Sequence, residues 1–596
     1  MNIIRRIRIE NIKGIQKLDL SFEDLNANQP HIIVAPNGFG KSSVATAFDA
    51  ATSGKLKLDP RDIYQQDQNN HPKLEIELCG ENAATYIGTD ECSDISTNIF
   101  IGVINSPIYA KSTARSFGQR TAATADLRVE DIVIFKKIPE RKTINYSYTQ
   151  IKSSFGEKGK LFLNISDMLW DFENINKLYN IKLALNKCIA QKGIQLSFEK
   201  FLNNCSNNGT ASDIKNSIST AIISELRANE NINALFNCIS DMSKKPENWN
   251  EIDTVFTAIQ ICKIIGTYYN DCEREILKEV LSYLEYKHIR SLVDNRLAEF
   301  NTTGRRIVCR EEKGKLVVRF DRAESMSNGE RDILSFVVNL TLFEYQFSKK
   351  IGILIIDEVF DYLDGSNMLA VQYYLNQFIK NCKSKNKLLF PLIFTHLDPS
   401  AFSNYYFSKK KIHYLVAPAN IDLSSAIVKM LRLRENSILG ESEKEEIEKY
   451  YIHYTNDSHS LTDTAARMIS DDFSDTNLVF RQKLYDEITE KYLKNEPYNP
   501  VMVIAGLRIK IEESVYRCLN IVDIEEFLGE HKVVNKLDFA KTKGIDIPEL
   551  YYLLQPLYND GMHLKGDDTA VKNKIKSCYL KTNNLHIKKM IKEVFS

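Results

Sequence analysis

No run of apolar residues in the chain approaches the ~18 that a membrane span requires, so no transmembrane segment is expected. The start, Met1-Asn2-Ile3-Ile4-Arg5-Arg6, leads straight into a strand pattern and has no leader-like apolar stretch. Net charge is absent too: 78 Lys and Arg balance 78 Asp and Glu. That excludes a whole-protein electrostatic footprint for nucleic acid, so any such surface has to be local. The eleven cysteines include no C-x-x-C pair, which argues against a zinc hook or a disulfide framework and for reduced thiols in a cytoplasmic protein. His71, His288, His413 and His453 lack ligand-like spacing and are assigned to no metal. Tryptophan is scarce, and Trp170 and Trp249 read as packing residues. Sustained heptads are missing, which excludes a long coiled coil.

What is present fits a soluble globular chain. Its 596 residues allow about three to four domains. Residues 3–22 alternate apolar and polar around Asn11-Ile12-Lys13-Gly14, which predicts a β-hairpin. His31-Ile32-Ile33-Val34 reads as a short buried strand, followed by a glycine-rich loop and a helix from Ser43 to Ala51. Leu74–Leu78 and Phe100–Ile104 are further strand candidates. Residues 150–300 read as a compact helical insertion. Arg306–Arg310 and Lys315–Phe320 form a second predicted hairpin around Glu311–Gly314. Helices are expected over 333–347 and 367–381, and buried strands over 351–356 and Leu388–Phe394. This strand–helix alternation implies a parallel or mixed sheet with helices on its faces. After about residue 425 the pattern is mainly helical, ending in a Lys-rich tail (Lys572, Lys574, Lys576, Lys581, Lys588, Lys589, Lys592). The tail suits either a solvated helix face or a nucleic-acid-facing surface.

The chemistry lies in a site that is split along the sequence. Ala35-Pro36-Asn37-Gly38-Phe39-Gly40-Lys41-Ser42-Ser43 departs from G-x-x-x-x-G-K-[ST] only in Ala35 for the first glycine. Asn37, Gly38, Gly40 and Ser43 would build a backbone cradle for phosphate oxygens. Lys41 would reach the β- and γ-phosphates, and Ser42 would hold Mg²⁺. The partners arrive roughly 280 residues later: Met326-Ser327-Asn328-Gly329-Glu330, then Ile353-Leu354-Ile355-Ile356-Asp357-Glu358, then Thr395-His396. Asp357 would bind Mg²⁺ and Glu358 would activate the attacking water.

This set, with Tyr362-Leu363-Asp364, resembles the ATP-binding cassette heads of the SMC, RecF and RecN class over residues 1–120 and 305–415. The resemblance implies that Ser327 and Gly329 contact the γ-phosphate of ATP held by the opposite subunit. It also implies that Asp364 occupies the D-loop, that His396 is the switch histidine, and that Asn105 stands in for the glutamine-loop metal contact. Asn328 replaces the usual first glycine of the signature. Asp357-Glu358-Val359-Phe360-Asp361-Tyr362-Leu363-Asp364 and Phe394-Thr395-His396 are similar to the heads of PrrC and RloC anticodon nucleases and of Septu- and retron-associated PtuA-type antiphage ATPases. The absent C-x-x-C departs from RloC. Nothing resembles the acidic cluster of a TOPRIM nuclease.

In the C-terminal region Arg508 and Glu512 stand i, i+4 on a predicted helix, and His563 follows later. The trio resembles the Arg-x-x-x-Glu…His pattern of PrrC-type and HEPN-like ribonucleases. A guanidinium would hold the scissile phosphate, and a carboxylate and an imidazole would act as base and acid. The bland alternative is a helix-stabilising pair on a solvated face, with an unrelated histidine.

The expectations are therefore an α/β ABC-type (SMC-like) ATPase head built from two sequence-distant lobes, with a helical insertion and a mainly helical C-terminal domain. Residues 1–150 would be the N-terminal lobe and 151–304 the insertion. Residues 305–425 would be the C-terminal lobe and 426–596 an effector or partner-binding domain. The resemblance implies ATP and Mg²⁺ as cofactors and a homodimer or higher even-numbered oligomer. It further implies a role in antiphage defence in which ATP-driven dimerisation gates a nuclease, either a partner or the chain's own site acting on tRNA. A RecF- or RecN-like DNA repair ATPase is the alternative.

Overall fold

The computed structural model describes residues 2–36, 38–106, 108–117, 120–129, 131–271, 273–300, 306–320, 328–397, 411–415, 418, 421–435 and 438–596, without the side chains of 108–128, 328, 362 and 560. Its strands, in chain order, are β1 (Ile3–Ile12), β2 (Ile15–Ser21), β3 (His31–Val34), β4 (Lys73–Cys79), β5 (Ala84–Thr89), β6 (Ile99–Asn105), β7 (Ile108–Phe117), β8 (Arg120–Val129), β9 (Ile132–Phe135), β10 (Cys309–Glu312), β11 (Lys315–Val318), β12 (Ile351–Asp357), β13 (Leu388–Thr395) and β14 (Lys411–Tyr414). By internal contacts the chain forms two compact units. One holds residues 1–106, 328–336 and 343–596, and the other 107–327 and 337–342.

In the first unit, alternation drives a four-stranded antiparallel sheet of order β2-β1-β4-β5. Ile7, Ile9, Leu74 and Ile76 point to its buried face, while Arg6, Arg8, Asp19 and Glu75 pair on the other. The second sheet has the order β14-β3-β13-β12-β6, and every pairing in it is parallel. β3 and β12 are buried along their whole length and β13 nearly so, as expected of strands covered on both faces. The order interleaves distant sequence. β3, from the first forty residues, lies between β14 and β13, and β6 borders β12. Neither half could bury its apolar strands without the other. The fold class expected from the sequence is the one observed, including helices Asn328–Gln346 and Gly365–Ser384 beside β12.

Residues 426–596, in the same unit, are helical around a separate core that includes Leu484, Ile504, Leu507 and Tyr558. Their central helix, Pro500–Tyr516, is buried on nearly all sides.

The second unit contains the helical insertion. Helices run from Tyr148 to Ala298, the longest being Glu251–Asn270 and Ile276–Ala298, over a core that includes Phe236, Phe256 and Ile265. Two strand features were not expected from the sequence: the hairpin β7–β8, and β9, which pairs with β11 in a sheet of order β10-β11-β9. The predicted hairpin around Glu311–Gly314 is present as β10–β11.

Candidate active site

β3 delivers the chain into the phosphate loop, and the helix Lys41–Ala50 leaves it with Gly40 as its N-cap. Gly38 and Gly40 have φ of 85° and 89°, left-handed values that side chains resist, so glycine suits both places. The backbone N–H groups at a helix start favour an anion. Lys41 is buried, its ammonium donating to the Ala35 carbonyl at 3.0 Å and standing 3.4 Å from Glu358.

Parallel pairing of β12 with β6 sets Asp357 opposite Asn105, and pairing with β13 sets it opposite Phe394. The carboxyl of Asp357 is buried, accepts the Ser42 hydroxyl, and has one oxygen with no hydrogen-bond partner. Burial, and then the neighbouring Glu358, push its pKa up to about 6. A buried carboxyl with an orphan oxygen beside a serine hydroxyl is a donor set that fits a divalent cation. Glu358 follows in a left-handed backbone conformation, φ 57°, an uncommon one for a non-glycine residue. Gly38, Gly40, Lys41, Ser42, Glu358 and His396 line one cavity of about 490 Å³. Residues more than three hundred positions apart thus share a site.

Asp364 caps the helix Gly365–Ser384 by accepting from the Asn367 backbone N–H at 2.9 Å. Gly329 lies in the first turn of Asn328–Gln346. Two residues on, Arg331 and Asp332 are buried, and the Ser106 hydroxyl donates to Asp332 at 3.1 Å. This bond ties the helix Asn328–Gln346 to the end of β6, one residue past Asn105. Asn37 and Ser327 lie outside the described residues.

The C-terminal trio is arranged differently from its sequence pattern. Arg508 and Glu512 share a face of Pro500–Tyr516, but that face is buried, so the reading of a solvated helix pair is overturned. Tertiary packing surrounds it: His453 donates from Nδ1 to Glu512 at 2.6 Å, and Arg508 donates to His453 Nε2 at 2.6 Å. Lys536 donates to Glu512 at 2.8 Å. Burial, the largest influence, would raise the Glu512 pKa, but His453, Lys536 and Arg508 together hold it well below the usual carboxylate range. His563 is exposed and sits instead against Glu435 at 2.8 Å. Among the described residues it joins the buried group through Arg434, which contacts both His563 and Glu448, the latter 3.3 Å from His453. His453 and Lys536 gave no signal by spacing. In the Lys-rich tail, Lys572, Lys589 and Lys592 are exposed, while Lys574, Lys576, Lys581 and Lys588 are half-buried.

No protein-family model and no curated protein matches the sequence. Among solved structures, the chain is similar to an Smc head domain with an extended coiled coil bound to the C-terminal domain of ScpA, from Pyrococcus furiosus. Identity is 13%, over 68% of this chain and 92% of that one, with a TM-score of 0.26. It is also similar to the recombination mediator protein RecF with ATP, at 10% identity over 66% and 93% of the two chains and a TM-score of 0.21. No helix among the described residues is long and apolar enough to cross a membrane.

Proposed function

We propose that the chain is a Mg²⁺-dependent ATPase whose ATP-driven dimerisation gates a nuclease effector in antiphage defence. The observation that carries the ATPase reading is the shared cavity, where Lys41 and Ser42 meet Glu358 and His396 from more than 300 residues away, with Asp357 beside Ser42. Lys41 would bind the terminal phosphates, while Ser42 and Asp357, with Asn105 at the adjoining strand end, would hold the cation. Magnesium would supply neutralisation of charge developing on the phosphate oxygens. Glu358, at the rim of the cavity, would take a proton from the attacking water.

Under this reading residues 1–150 and 305–425 hydrolyse ATP, 151–304 form an insertion, and 426–596 bind or constitute the effector. Ser327 and Gly329 would reach the nucleotide of a second copy. The partner is a nuclease, or the domain itself cleaves tRNA. A RecF-like repair ATPase acting on DNA has the same head requirements.

The test is phosphate release from Mg·ATP by the purified chain, alongside total tRNA incubated with and without ATP. Lys41→Ala should weaken ATP binding by about 100-fold. Wild-type protein that neither binds nor hydrolyses ATP would remove the ATPase reading. RNA cleavage lost in His563→Ala would place the nuclease in this chain, and intact tRNA under every condition would point to a separate partner.

A further inference from the structure

Asp361 is used by none of the roles above, although it lies between Glu358 and Asp364. Its side chain is fully buried beneath the nucleotide cavity. There it collects three contacts from one segment, the end of β13. The Thr395 hydroxyl donates to Oδ1, and the His396 backbone N–H donates to Oδ2 at 3.3 Å. The His396 ring nitrogen Nδ1 stands 2.7 Å from the same Oδ2, off the hydrogen-bond axis. Burial, the largest influence, raises the carboxyl pKa, and Thr395 and His396 oppose it. A carboxyl in this position is costly unless its partners need it.

We infer that Asp361 is a positioning residue for ATP hydrolysis. It holds the backbone and ring of His396 so that Nδ1 faces the protein and Nε2 is the nitrogen left for the nucleotide. A carboxylate set against one edge of an imidazole holds the ring's orientation and leaves the opposite edge for the nucleotide. The Thr395 hydroxyl fixes the carboxylate in turn. Glu358, Asp361 and His396 also bring one ligand-type atom each within 4.8 Å of one another. The contacts of Asp361 to Thr395 and His396 already account for that grouping as a hydrogen-bonded chain.

The inference rests on the ATPase reading, and the two fail differently. Full-length wild type, Asp361→Asn, His396→Ala, the double variant and Thr395→Val are compared for ATP Kd, KM and kcat. Asp361→Asn keeps the shape and an acceptor for Thr395 but removes the charge. It should lower kcat by about 10- to 100-fold and leave ATP Kd within about twofold. The double variant should be no slower than His396→Ala alone, because Asp361 acts only through that ring. Thr395→Val should lower kcat by a smaller factor in the same direction, and it serves as the probe if Asp361→Asn does not fold. Unchanged kcat in Asp361→Asn, or losses that multiply in the double variant, would overturn the inference. Equal losses of kcat and ATP affinity would do so too, as they mark a general structural role. An inactive wild type would remove the ATPase reading and this inference with it.

Discussion

Glu512 keeps a negative charge inside a helical core, and the reason lies in its neighbours. His453, Lys536 and Arg508 each contact or closely approach its carboxylate. Removing one side of a buried charged group leaves the others unpaired and typically costs about 3–5 kcal/mol. Glu512→Ala should therefore lower the stability of the C-terminal region by an amount in that range, read by urea unfolding. A change below about 1 kcal/mol would mean the network opens to water. At this scale the sequence was partly legible. The i, i+4 spacing of Arg508 and Glu512 placed them on one face, because helix geometry is local. His453 and Lys536 came to that face by the packing of separate helices, which spacing does not encode. Conversely, Asp357 and Glu358 were legible as a pair closing an apolar strand, because Tyr362-Leu363-Asp364 and a second apolar strand ending in His396 follow them. The left-handed backbone at Glu358 left no trace in composition.

At the scale of elements, close approach sets limits that residue types alone do not announce. Gly102 on β6 packs against Phe343 of the helix Asn328–Gln346 so tightly that a Cβ atom there would lie 2.2 Å from the ring. Gly102→Ala should destabilise the head by about 1–3 kcal/mol through overpacking, measured as a lower unfolding midpoint. The edge of the parallel sheet carries a pH-dependent element. His31 on β3 is buried, its Nε2–H donating to the Asn26 carbonyl at 2.8 Å while Nδ1 accepts from His413 Nε2–H on β14 at 3.1 Å. Burial lowers both pKa values, that of His31 to about 4 from 6.5. Asp24 opposes the shift, while Lys411, and near His413 also Lys576, add to it. Because the folded values are depressed, the unfolded chain binds more protons between about pH 6.5 and 4. Stability from this pair is present above pH 6.5 and is lost as pH falls through that window. At about 1.4 kcal/mol per unit, His31 alone accounts for up to about 3 kcal/mol. His31→Gln should flatten the slope of melting temperature against pH between 6.5 and 4, and an unchanged slope would contradict the assignment. Most head strands were legible from apolar runs or alternation. The hairpin β7–β8 was not, because its Ala-, Ser- and Thr-rich segments carry little apolar contrast.

At the scale of the molecule, the order β14-β3-β13-β12-β6 explains the long gap between the motifs. The sheet needs strands from both ends of the chain, so the phosphate loop and the acidic pair are completed by folding together. The intervening sequence can leave and return without breaking the parallel register. The split was legible because each motif is local and its chemistry demands the other. The arrangement of the insertion was legible only as helix, since its contacts are set by packing. The most direct test of the joined site is Glu358→Gln, compared with wild type for ATP turnover and for mass in solution with Mg·ATP. The account predicts turnover at least about 100-fold slower with ATP still bound, and a stable dimer that wild type forms only transiently. Turnover at the wild-type rate would contradict it.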